Sequence, residues 1–189
     1  MDPTLLGAPV PVPTHQHHRK GLSRNVVFLL AGLVVVIVIG LLLILLSGDK
    51  SGTFRPKLSA RSDATLSLIA DGKKNIKGAE LAKLNSELYL VLLTDNVATS
   101  KALATAGLKK VDPAVKTSEA VTATLASLKT AKVNGQYDET YKTDLSSQLT
   151  KLNSLSKELH TATNSKSLKA ALSTQYTHVA EYLKQLQAL

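Results

Sequence analysis

Apolar residues fall along this chain in two patterns. Residues 26–46 form an unbroken uncharged run, VVFLLAGLVVVIVIGLLLILL, while from residue 57 onward apolar positions recur every three or four residues among lysines, serines and threonines. The run is 21 residues long, and a helix of that length covers about 32 Å, the thickness of a bilayer's hydrocarbon core. In lipid such a segment must be helical, because nothing else there satisfies its backbone amides and carbonyls. The pattern predicts a tail over 1–24, a single transmembrane helix over 25–47, a linker over 48–56 and one domain over 57–189.

The second pattern is helical throughout. Leu58, Ser62, Leu66 and Ile69 share one face of a helix expected over 57–71, which Pro56 should prevent from starting earlier. Gly72 and Gly78 bracket a Lys-rich turn. Leu81, Leu84, Leu88, Val91, Ala98 and Ala102 mark a longer helix over 79–106, and its centre, 88–93, is apolar on all sides except for the Tyr89 hydroxyl. That places the centre in the middle of a bundle, against several neighbours. Gly107 is the expected stop. Asp112-Pro113 reads as an N-cap followed by proline in the first turn, opening a helix over 113–133 that Asn134-Gly135 ends. Tyr141, Leu145, Leu149, Leu152, Leu155, Leu159 and Ala162 form a near-heptad series over 138–163. Leu168, Leu172, Tyr176, Val179, Leu183, Leu186 and Leu189 form another from 166 onward. Short turns between such helices favour antiparallel packing. The expected fold is all-α: the transmembrane helix, then an antiparallel four- or five-helix bundle.

Charge sets the expected orientation. Arg19, Lys20 and Arg24 precede the span, and Lys50, Arg55, Lys57 and Arg61 follow it. The denser cluster beside the lipid, together with the free amine, predicts a cytoplasmic N-terminus and an extracytoplasmic domain at the cell membrane. The run exceeds a signal-peptide core of about 7–15 residues, and its exit, Leu45-Leu46-Ser47-Gly48-Asp49, is a poor cleavage site. Retention as a signal-anchor is expected. Gly32 and Gly40 do not make a GxxxG pair, and no charge within the span suggests an ion pathway.

The chain carries a net charge of +9 and has no cysteine, so disulfide and thiolate chemistry are excluded. From residue 57 onward eighteen cations face twelve carboxylates, which read as scattered along the helices rather than clustered. Arg61 is the only arginine there, with no basic stripe interleaved with aromatics, so nucleic acid is not an expected partner. Pro9, Pro11 and Pro13 stiffen the tail. His15, His17 and His18 stand beside its basic end without the partners that orient a metal site.

Reactive constellations are scarce. A ferritin-like site needs Glu-x-x-His on facing helices, but Lys157 and Gln175 precede His160 and His178 at that spacing. Asp95 falls where the stripe expects an apolar residue. It reads as a functional carboxylate or, more ordinarily, as an acid at the stripe's edge paired with Lys101 or a lysine on a neighbouring helix. Asp95, His160 and His178 are the only candidates for an enzyme. No catalytic, metal or cofactor residue is assigned, and no cofactor is expected. The expected role is non-enzymatic: a membrane-anchored bundle that binds or assembles with a membrane protein, with itself, or with an anionic lipid or envelope polymer. The alternative is a small-ligand-binding or sensory bundle signalling through a partner protein.

Overall fold

The computed structural model describes residues 50–189, so the expected tail and transmembrane helix lie outside the described residues. Among the described residues no helix is long and apolar enough to cross a membrane, and the structure is all-α. A 3-10 turn, Lys50–Thr53, leads into α1 (Phe54–Asn75). Then come α2 (Ala79–Thr105), α3 (Pro113–Glu119), α4 (Thr122–Val133), α5 (Tyr137–Ala162) and α6 (Lys166–Ala188).

The four long helices close a ring in which α1 packs on α2 and α5, and α6 packs on the same two. Neighbours run antiparallel. Asn85 of α2 reaches Ile69 of α1 while Asn96 reaches Asp63, and on α5 Tyr137 reaches Asp71 while Gln148 reaches Arg61. The short α3 and α4 carry the chain back along α1, with α4 also packed on α5. One end of the bundle, here the Lys50 end, therefore gathers the start of α1, the α2–α3 connection and the α5–α6 connection. The far end gathers the α1–α2 turn, the α4–α5 turn and the last turn of α6. The core is mostly leucine: Leu58, Leu68, Leu88, Leu92, Leu145, Leu149, Leu159 and Leu172 are essentially inaccessible, each contributing about 1.5–3 kcal/mol by burial.

Several expectations need correction. α1 begins before Pro56, because proline lacks only an N–H, and the first turn has no intrahelical partner for one. α1 also runs through Gly72, which stays helical and buried beneath the Tyr141 ring. The single helix over 113–133 is two: Ala120 is extended (ψ 147°), and the break separates α3, none of whose residues is buried, from Val121 and Leu128, which reach the core. Thr117, Thr122 and Thr124, weak helix formers, flank the break. The centre of α2 is not surrounded. Leu88 and Leu92 are buried, but Leu90 is 63% exposed and Leu93 41%.

The predicted stops are present. Gly107 (φ 101°) and Gly135 (φ 72°) adopt the left-handed conformation, and Leu108 N–H and Gln136 N–H donate back to Leu103 and Ala131 to close the two helices. Asp112 accepts from Ala114 N–H at 2.7 Å as the N-cap of α3.

Candidate functional site

Of the sequence candidates, the fold brings two together. Asp95 on α2 and His178 on α6 meet with Nδ1 2.9 Å from Oδ2. The carboxylate is buried, and the imidazole is 38% exposed. Asp95 is thus paired, but with histidine rather than lysine. Beyond it the small side chains of Ala98, Ala102, Ala170 and Ala171 leave an open groove of about 470 Å³ between α2 and α6, which Lys101 and Thr174 also line. His160 stands apart from this pair, with its ring edge-on to Tyr176 at 5.7 Å. His15, His17 and His18 lie outside the described residues.

A carboxylate holding an imidazole by Nδ1 fixes the ring and leaves Nε2 for a proton. Among the described residues no hydroxyl is hydrogen-bonded to that nitrogen, and no cluster of three or more histidines and carboxylates is placed to hold a metal ion. In this geometry the pair ties α2 to α6 across the rim of the groove.

Buried polar contacts do similar work elsewhere. Gln175 Nε2 donates to Ser62 Oγ at 3.3 Å, and Ser156 Oγ lies 3.2 Å from Gln175 Oε1, so α1, α5 and α6 are joined across the core. Tyr141 donates to Asn85, which donates to the Ile69 carbonyl at 3.1 Å. Tyr137 donates to Asp71 at 2.8 Å. Arg61 donates to Gln148 at 2.8 Å and pairs with Glu119, fastening α3 and α5 to α1. No family model, curated protein or solved structure matches the chain.

Sequence reasoning missed Ser62's link to Gln175, and it missed Asn85, Gln148 and Ser156 altogether. Their signal was present: Ser156 sits between Leu152 and Leu159, and Gln175 between Leu172 and Val179, on the same stripes as the leucines. It also missed the second face of α2. Ser86, Leu90, Leu93, Val97, Ser100 and Ala104 follow one another at alternating four- and three-residue steps, and all six are exposed. The spacing is that of a helix–helix seam, and it lies on the side of α2 opposite Leu88, Leu92 and Thr99 of the core face.

Proposed function

We propose that this chain is a membrane-anchored, non-enzymatic docking protein whose bundle offers the outer face of α2 to a helical partner. The observation that carries the reading is the uncharged stripe centred on Leu90, Leu93 and Val97. Leu90 and Val97 are 63% and 65% exposed, in a bundle whose other leucines are nearly all covered. A residue that is buried by a partner, but by nothing in its own domain, leaves such a stripe. The apolar run over 26–46 supplies the anchor, and the charge flanking it favours an extracytoplasmic bundle.

A photo-crosslinking residue placed at Leu90 or Val97 in the full chain, expressed in its own cells, tests this. A discrete adduct at both positions that is lost on Leu93→Asp, with none from a probe at Thr130 on α4, is the expected result. Equal labelling at all three positions, or none at Leu90 and Val97, would overturn it.

The second reading, a small-ligand or sensory bundle, draws on the groove beside Asp95 and Lys101. A ligand that binds only the folded state raises the apparent melting temperature. Thermal shifts against a metabolite panel that vanish in Asp95→Asn would favour that reading over docking.

A further inference from the structure

The positive charge of the bundle is concentrated at one end. At the Lys50 end, segments 50–57, 106–112 and 163–169 hold seven lysines and arginines against one carboxylate, Asp112. At the far end, segments 71–80, 131–140 and 182–189 hold five lysines against four carboxylates. The lysines that read as scattered along the sequence are therefore gathered by the topology, since three separate connections meet at the Lys50 end. Lys57, Lys109, Lys110 and Lys166 are exposed there. Arg55 faces inward instead, donating to the Ala106 carbonyl and so holding the start of α1 against the α2–α3 connection.

Chain length supplies the second constraint. The apolar run ends at Leu46, and four residue steps lead to Lys50, a reach of at most about 14 Å. Headgroups extend about 5–8 Å beyond the hydrocarbon on each side, and charges are felt over about 10 Å at 0.1 M salt. If the run spans a bilayer, the basic end cannot leave the neighbourhood of the headgroups, whereas chain length places no such limit on the far end. A bundle whose charge served solubility alone has no reason to be polarised in this sense.

We propose that the Lys50 end of the bundle seats on anionic lipid headgroups of the bilayer that its own chain enters, with Lys57, Lys109, Lys110 and Lys166 making the contacts. This inference rests on the anchoring role proposed above for residues 26–46. Seating would hold the bundle upright, so that the outer face of α2 is presented alongside the membrane rather than towards it.

The test reconstitutes the full chain in nanodiscs of phosphatidylcholine alone or with phosphatidylglycerol, and reads amide hydrogen exchange by mass spectrometry. The expected result is several-fold slower exchange of segments 106–112 and 163–169 in the anionic discs, with segments 76–79 and 134–136 unchanged. That protection should disappear at about 1 M salt, and also in a variant carrying Lys57→Glu, Lys109→Glu, Lys110→Glu and Lys166→Glu whose α5 exchange shows it folded. Equal exchange in the two discs would overturn the inference and leave the anchor standing. Failure of the chain to enter discs of either kind would overturn both. The same protection from inorganic phosphate with neutral discs would overturn the lipid assignment in favour of a dissolved anion.

Discussion

Gly72 leaves the space that the Tyr141 ring occupies: a Cβ built on Gly72 would stand 2.5 Å from Cζ and Oη of the tyrosine. Glycine inside a helix ordinarily lowers stability by about 1 kcal/mol relative to alanine. Here the sign inverts, because α1 and α5 approach through the missing side chain and Tyr141 then reaches Asn85 on α2. Gly72→Ala should destabilise the bundle by about 1–3 kcal/mol through overpacking. In a Tyr141→Leu background the same change should become neutral or stabilising. Urea unfolding of the four proteins gives the coupling directly, and a Gly72→Ala protein more stable than its parent would rule out the close approach.

Tyr137 and Tyr141 stack with centroids 5.7 Å apart and planes 11° from parallel. Burial is the main reason both phenols ionise well above the ordinary tyrosine range; the hydrogen bond to Asp71 and its charge add to this at Tyr137, and the neighbouring Tyr137 and Asp71 add to it at Tyr141. A folded-state pKa above the unfolded one stabilises the fold fully below the unfolded value, about 10, and this stability is lost as pH climbs beyond it. Alkaline titration should therefore show tyrosinate absorbance from these two residues rising together with loss of helical circular dichroism. Ionisation of all five tyrosines before any helix is lost would contradict the burial.

Helix type and most helix ends were legible because they rest on local physics: leucine spacing, Asp112-Pro113, and the two glycines that turn left-handed. What was not legible depended on which helix lies beside which. Gly72 looks like a helix stop until Tyr141 is known to sit over it. The segment 88–93 looks like a helix centre buried on all sides, because an exposed face built of leucine and valine has the same composition as a core face. The Asp95–His178 contact joins residues 83 positions apart, and no spacing rule reaches that far. The gathering of lysines at the Lys50 end is likewise a property of the topology, since each connection contributes only two or three.

Asp144 on α5 has a carboxylate oxygen, Oδ2, that is buried without a hydrogen-bond partner. Burial raises its carboxyl above the ordinary range, with the charge of Lys151 opposing the shift. Because the folded-state value is the higher one, the charged form weakens the fold, and stability falls as pH rises through the folded pKa. Asp144→Asn should stabilise the protein at neutral pH by about half a kcal/mol, solvent screening keeping the effect small. The gain should fade in acid, where the parent carboxyl is already neutral. Chemical melts of both proteins at neutral and acidic pH check this, and a gain that grows in acid would reverse the assignment.

The Asp95–His178 pair asks whether a polar contact at the rim of the groove stabilises the bundle or is merely tolerated. Asp95 is the buried partner, so removing the imidazole should be the more damaging single change. His178→Ala leaves a carboxylate without its partner and should lower stability by about 1–3 kcal/mol, while Asp95→Asn keeps an acceptor for the ring and should lower it by less. The double variant Asp95→Asn/His178→Ala removes the stranded charge as well. It should be no less stable than His178→Ala, with a coupling of about 1 kcal/mol or more between the two sites. Strict additivity would mean that the contact adds nothing to the apolar packing that joins α2 to α6 in the core. A strong coupling would mean that this contact fastens α2 to α6 at the rim of the groove, so that any molecule entering between Ala98 and Ala171 meets a wall braced by Asp95.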